Sequence, residues 1–203
     1  MAPTDYDHWQ SRYARPDYLF GTAPNEFLRQ HAHLLKPGQT ALAIADGEGR
    51  NGVFMAEKGL NVVSVDFSPL ALEKARKLAA ARKVTMRIEQ ADIINREWPP
   101  ETYDVVAAIF FQFATPPQRD AIFAGIGKTL KPGGLLLLEG YRPKQLEYKT
   151  GGPPQVENLY TREILEAGFA GFTSIDIREH DSEIAEGAQH VGMSALIDLV
   201  GRK

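Results

Sequence analysis

Residues 41 to 66 read ALAIADGEGRNGVFMAEKGLNVVSVD. Ala41 to Ala45 is a short apolar run, long enough for a buried strand. Gly47, Gly49 and Gly52 follow it as G-x-G-x-x-G. Val53, Phe54 and Ala56 then carry a helix that stops near Gly59, because a glycine readily takes the left-handed turn that ends a helix. Asn61 to Val65 is a second apolar strand with Asp66 at its carboxyl end. A parallel sheet offers ligands the carboxyl ends of its strands, so the glycine turn and Asp66 face one crevice. Glycines let the backbone approach a ligand, and an acid at that place accepts hydrogen bonds from ribose hydroxyls. Glycines alone would mark an ordinary turn. A strand before, a helix after and an acid about 20 residues on make the stretch a nucleoside-type site.

The chain outside this stretch narrows the choices. Its 203 residues suffice for one domain, or one domain with a small lid. With 43% apolar and 24% charged residues it has an ordinary globular composition. A net charge of −3 gives no electrostatic footprint for nucleic acid, which is not expected as a partner. No apolar run reaches membrane-span length, so no membrane partner is expected either. The start, MAPTDYDHWQSRY, lacks a secretory apolar core, and a cytoplasmic location is expected. The absence of cysteine removes thiolate chemistry and cysteine-based metal sites. His8, His31, His33, His180 and His190 form no H-E-x-x-H, and His31 and His33 fall on different helix faces. No metal site is read.

Two units are expected: a helical N-terminal extension or lid over 1–40, and a Rossmann-like domain over 41–203. In the first, Asp7 to Tyr13 predicts a short helix with Trp9 and Tyr13 on one side. Asn25 to Leu35 predicts another, ended by Lys36-Pro37-Gly38. In the second, Ser68 caps a helix with Pro69 at its first position. Thr85 to Glu89 is a third strand, Tyr103 to Phe110 a fourth, and Leu135 to Leu138 a fifth. Continuous apolar runs such as YDVVAAIF suit a sheet buried on both faces. A helix opens at Pro116 or Pro117, Lys131 to Gly134 reads as a turn, and 143–158 as a polar loop. Thr161 to Ala167 reads as a short helix. Ser174 to Arg178 and Val191 to Leu199 alternate like strands with one exposed face, which puts His190 on a polar side. Gly127-Lys128-Thr129 mimics a P-loop end, but it lies inside an amphipathic helix and lacks the earlier glycine.

Two ligand classes fit the first half: a nicotinamide or flavin dinucleotide, and S-adenosylmethionine. Asp66 would take the ribose in either. Three features favour the methyl donor. A helical extension precedes the glycine turn, little chain remains for a separate substrate domain, and Asp92 follows the third strand. Asp92 is placed to accept from an adenine amino group, with Ile93 as its apolar neighbour. Paired carboxylates also suit a sulfonium better than a pyrophosphate.

Ala45-Asp46-Gly47-Glu48-Gly49-Arg50-Asn51, Val65-Asp66-Phe67-Ser68-Pro69, Gln90-Ala91-Asp92-Ile93 and Leu130-Lys131-Pro132-Gly133-Gly134 together resemble the motifs of class I S-adenosylmethionine-dependent methyltransferases. Trp9, Arg12, Tyr13, Gly21-x-x-Pro24 and Glu186-Gly187-x-x-His190-x-Gly192 are similar to the small bacterial tellurite-resistance and thiopurine-methyltransferase-like group. The resemblance implies an α/β fold: one doubly wound, mostly parallel seven-stranded sheet, whose antiparallel last strand inserts beside the strand at Ser174. It implies a cofactor lying along Asp46, Gly47, Glu48, Gly49, Asn51, Asp66, Phe67, Ser68, Asp92 and Ile93. Phe110 and Phe111 would border the methyl group, while Trp9 and Arg12 would come from the extension, Arg12 pairing with the methionine carboxylate. The class carries an acid where Ala43 stands here and a glycine where Ala45 stands. Asp46 or a backbone carbonyl is then left to hold the methionine ammonium.

The expected activity is methyl transfer to a small molecule, leaving S-adenosylhomocysteine. In-line transfer needs alignment and exclusion of water more than a dedicated base. Candidate catalytic residues are His190, Tyr141 and Arg142, with His180 as a further late histidine. Tyr18, Phe20, Phe110, Phe111, Phe113 and Tyr141 are expected to make an aromatic mouth, which favours a soft acceptor such as a thiol or a chalcogen anion. The competing functions are an NAD(P)-linked oxidoreductase and a non-catalytic S-adenosylmethionine-binding protein. A monomer or homodimer is expected.

Overall fold

Strands from both ends of the chain meet in one seven-stranded sheet of order β3-β2-β1-β4-β5-β7-β6. The computed structural model describes residues 3–187 and 190–203. β1 (Thr40–Ile44), β2 (Asn61–Asp66), β3 (Arg87–Gln90), β4 (Tyr103–Ile109) and β5 (Leu130–Tyr141) pair in parallel. β7 (His190–Arg202) runs antiparallel between β5 and β6 (Ser174–Glu186). The order reverses between β1 and β4, and there a doubly wound sheet opens its ligand crevice. The expected class I arrangement is present, including the inserted antiparallel last strand.

Period-two alternation divides the buried residues between the two faces of the sheet. Leu42 and Ile44 of β1, with Leu136 and Leu138 of β5, join a core against α5 (Pro116–Thr129) and α7 (Arg162–Gly168). Ala41 and Ala43, with Leu135 and Leu137, join the opposite core with Phe27, Leu28, Phe54 and Met55. These last come from α2 (Glu26–Gln30) and α3 (Arg50–Glu57). Each fully buried leucine contributes about 1.5–3 kcal/mol relative to an exposed one.

Helix starts follow local chemistry. Ser68 accepts from the Ala71 amide and begins α4 (Pro69–Ala81), with Pro69 in the first turn where its missing N–H costs nothing. Gln118 accepts from the Thr115 amide at the start of α5. Thr161 caps α7 through the Ile164 amide, although the 3.4 Å separation makes that bond long.

Several sequence expectations need correction. The N-terminal helix α1 runs Pro3–Tyr13 rather than starting at Asp7. The helix expected through Leu35 ends at Gln30; His31 breaks it at φ −92° and ψ 11°, and a 3-10 turn Ala32–Leu34 follows. Lys131 to Gly134 is not a turn between elements but a bulge inside β5, since Tyr103 pairs with Leu130 and Val105 with Leu135. The 143–158 loop contains α6 (Gln145–Tyr148) and a 3-10 turn Val156–Asn158. β6 and β7 form a hairpin much longer than the alternating segments suggested, and its far part stands out beyond the edge of β5.

Candidate functional site

β1 delivers the chain to the switch point, and the turn after it is built on its own hydrogen bonds. Asp46 donates its amide to the Val65 carbonyl at 3.0 Å, and Gly49 donates to the Asp46 carbonyl at 3.0 Å. Ala45 takes φ +47°, the left-handed region, at the position where the resembled class has glycine. A side chain there costs on the order of 1 kcal/mol. Gly47 follows at φ +56° and donates its amide to Asp66 Oδ2 at 2.9 Å. Asp66 Oδ1 accepts from the Ser68 amide at 2.9 Å. One carboxylate thus ties the glycine turn to the end of β2. Asp46 turns back, accepting from the Gly52 amide at 3.1 Å and from the Ser64 hydroxyl at 2.7 Å. Ser64 lies on β2, directly opposite Ala43 in the parallel register.

The opposite walls are aromatic. Trp9 and Tyr13 of α1 stack at 5.6 Å, and the Arg12 guanidinium sits 4.6 Å from the Trp9 ring. Phe110, at φ +52°, packs against His190 at 4.6 Å, and Phe20 packs on the other side of that histidine at 4.5 Å. The cleft they border measures about 80 Å³ and is lined by Trp9, Tyr13, Asp46, Asn51, Asp66 and Phe67, among others.

Electrostatics set the character of this cleft. Burial pushes Asp46 up to about 7 and Asp66 up to about 6. The Ser64 hydroxyl and Gly52 amide pull Asp46 the other way, and backbone amides pull Asp66 the other way, without winning. Burial, helped by the charges of Arg50 and Arg12, pushes His190 down to about 3. This imidazole stays neutral at ordinary pH and cannot store a proton, so it is unsuited to act as a general base.

The structure brings together Trp9, Asp46, Gly47, Asn51, Asp66, Phe67, Phe110 and His190 of the expected set. It places others elsewhere. Glu48 points away from the cleft, accepting from the Leu19 amide and from Lys74 Nζ, each at 2.7 Å. Ser68 is the α4 cap and donates to Gln10 Oε1. Asp92 closes its own turn on the Ile94 amide and Asn95 Nδ2, and Ile93 is core. Neither Asp92 nor Ile93 lines the cavity.

Among the catalytic candidates, Tyr141 is buried, with its ring 4.7 Å from that of Phe110. Arg142 is held by Asp181, Glu179 and the Leu196 carbonyl at the base of the hairpin. His190, expected on a polar strand side, is buried between rings because the hairpin folds back over the cleft. Of the expected aromatic mouth, Phe20, Phe110 and Phe113 line the cleft, whereas Phe111 is core and Tyr18 packs along α4.

Sequence reasoning passed over Arg50, Asn25, Glu139 and Asp198. Arg50 lines the cleft and forms a buried 2.6 Å ion pair with Glu186 from the hairpin tip. Asn25 donates to Glu139 Oε2 at 2.5 Å and to Glu186 Oε1 at 3.1 Å. Glu139, His180 and Asp198 present ligand-type atoms within 4.8 Å of one another, the one such set among the described residues. The available signal was an acid inside the apolar runs LLLLEGY and ALIDLV.

S-adenosylmethionine can be tested against these residues. The cleft holds a left-handed glycine turn, an acid fixed beside it, and carboxyls whose raised proton affinity marks missing positive charge. A sulfonium with an ammonium supplies such charge; a pyrophosphate would add to the repulsion. The residues fit in chemistry. They do not fit in size as the cavity stands, because about 80 Å³ is less than the roughly 300 Å³ that sites for ligands of this kind occupy.

Residues 41–134 match the family model of a methyltransferase domain. Phosphoethanolamine N-methyltransferase of Triticum aestivum is 34% identical over 112 residues, 53% of this chain and 21% of that protein. Demethylmenaquinone methyltransferase of Deinococcus radiodurans is 30% identical over 106 residues, 50% of this chain and 43% of that protein. The chain therefore spans only a fifth to under half of these relatives. TehB from Haemophilus influenzae superposes with a TM-score of 0.72 at 16% identity, over 98% of this chain and 66% of that one. A structure described under conversion of a disulfide bond into a thioacetal group during echinomycin biosynthesis gives 0.74 at 19% identity, over 98% and 90%.

Proposed function

We propose that this chain, whose residues 41–134 are a methyltransferase domain set in the class I methyltransferase fold, transfers a methyl group from S-adenosylmethionine to a small molecule. The observation that carries this reading is the Gly47–Asp66 bond. It fixes a ribose-accepting acid against a glycine turn at the switch point of the sheet. S-adenosylmethionine would supply an already activated methyl group, so the protein has to bind, align and dry the reactants. Asp66 would accept from the ribose, Asp46 and nearby carbonyls would face the ammonium, and Arg12 would meet the carboxylate. Phe20, Phe110 and His190 would exclude water around the methyl group. The neutral imidazole of His190 can accept a hydrogen bond there without competing as a cation.

The aromatic lining supports a compact, weakly hydrated acceptor. The carboxylates beyond Arg50 weigh against an oxyanion acceptor.

Thermal-shift titration with S-adenosylmethionine, S-adenosylhomocysteine, NAD and NADP tests the cofactor. Stabilisation by the first pair alone is expected. A response confined to NAD or NADP would return the oxidoreductase reading. Tight binding of S-adenosylmethionine with no turnover on any acceptor of a broad panel would favour a non-catalytic binder.

A further inference from the structure

Beside the cofactor cleft lies a larger chamber of about 630 Å³, between residues 20–30 and the β6–β7 hairpin. Phe20 and Arg50 line both spaces, so the two are neighbours across one thin wall. The hairpin tip closes tightly on the N-terminal segment. A Cβ at Gly187 would lie 2.3 Å from the Phe20 carbonyl carbon, so only glycine is tolerated at that crossing.

The inner end of the chamber is acidic. Glu139 on β5 and Asp198 on β7 are directly opposed in the antiparallel register, so their side chains share a face. Both are buried. Their cation partners are few: Arg50 is committed to Glu186, and Arg29 to Glu26. Arg178, opposite Asp198 on β6, lowers only part of its charge burden. His180 Nε2 lies 3.0 Å from Asp198 Oδ2, while Asp198 Oδ1 is buried with no donor beyond the proton the pair can share with Glu139. Burial, and then the charges of Asp198 and Glu186, push the Glu139 carboxyl well above its ordinary range. A buried carboxylate pair short of donors is costly, and a guest that brings donors and positive charge relieves that cost.

We propose that this chamber receives the methyl acceptor and that the acceptor is a small amine, docked through its nitrogen on Glu139 and Asp198. The inference rests on the methyl-transfer reading. An ammonium entering the chamber supplies the donors that Asp198 Oδ1 lacks and the positive charge that the opposed carboxylates lack. It gives one proton to the carboxylate pair, which frees the nitrogen lone pair. The lone pair forms a bond to the methyl carbon as the methyl–sulfur bond breaks, leaving that electron pair on sulfur. The methylated nitrogen is again cationic and the same carboxylates stabilise it. Anionic acceptors meet Glu139, Asp198 and Glu186 and are excluded. Phe20 and the Arg50–Glu186 pair stand between guest and methyl group, and this wall has to part for transfer.

The test uses the full chain with n-butylamine and putrescine as probes, against butyrate, selenite and 1-butanethiol. Calorimetry is run with and without S-adenosylhomocysteine, beside an assay of S-adenosylhomocysteine release from S-adenosylmethionine. Amine binding and turnover are expected. Glu139→Gln and Asp198→Asn should each weaken amine binding at least tenfold while S-adenosylhomocysteine binds as in the parent, which certifies the fold. Amine binding insensitive to both substitutions overturns the proposal, as does turnover of thiol or selenite without amine. Mn²⁺ binding that needs Glu139 and Asp198 and displaces the amines also overturns it. If S-adenosylhomocysteine does not bind at all, the methyl-transfer reading fails, and amine binding to the protein alone then decides the chamber.

Discussion

Tyr13 stands over Gly47: a Cβ added to Gly47 would lie 2.9 Å from the tyrosine hydroxyl. The N-terminal helix therefore rests its ring on the turn that would carry the cofactor. The 80 Å³ cavity is what remains beneath it.

If α1 is a lid, removing that ring should open the site. Tyr13→Ala is expected to speed S-adenosylhomocysteine association several-fold, followed by Trp9 fluorescence in stopped flow. An unchanged association rate would mean that ligand enters by another route and that α1 does not gate the cleft.

Asp66 bonds the amides of both Gly47 and Ser68, and each of its oxygens keeps a further lone pair for a ribose hydroxyl. Asp66→Ala should weaken S-adenosylhomocysteine by about 1.5–3 kcal/mol, the scale of hydrogen bonds to a charged group. Asp66→Asn, which keeps the shape, is expected to lose less. Equal affinity of all three proteins in calorimetry would take Asp66 out of the site.

Asp46 and Asp66 give the ligand-free protein a defined pH response. Their folded values, about 7 and about 6, lie above the ordinary 3.8, so the folded state holds these protons more tightly than the unfolded chain does. The resulting stability is complete below about pH 4 and is lost as pH rises through 6 and then 7. The melting temperature of the ligand-free parent should fall between pH 5 and 8 more steeply than that of Asp46→Asn. Parallel curves would contradict the raised Asp46 value.

Ala45 occupies left-handed backbone that favours glycine. Ala45→Gly removes a local strain of about 1–2 kcal/mol per residue and adds back about 0.4–1 kcal/mol of unfolded-chain entropy. A small net gain in stability is expected in denaturant titration. A loss above 1 kcal/mol would show that the Ala45 methyl packs more usefully than its backbone suffers.

The glycine turn, Asp66 and the paired aromatics of α1 were legible because each depends on neighbours close in sequence or on a regular period. The side chains of Glu48 and Ser68 are engaged elsewhere, which the motif does not show. Both sit within a binding motif, but Lys74 and Leu19 claim the first, and the start of α4 claims the second. Competition for a side chain by residues far along the chain leaves no mark in the motif itself.

The sequence by itself determined the strand–turn–helix unit, the parallel order it implies, and the acid that faces the turn. Apolar period and glycine placement suffice for these, since they are local demands of backbone and burial. The tertiary structure alone decided what surrounds the turn. The β6–β7 hairpin brings Glu186 136 positions along the chain to Arg50 and sets Asp198 opposite Glu139. Charge and shape across such distances are fixed by how strands register, and one residue of slip would turn Asp198 to the other face of the sheet.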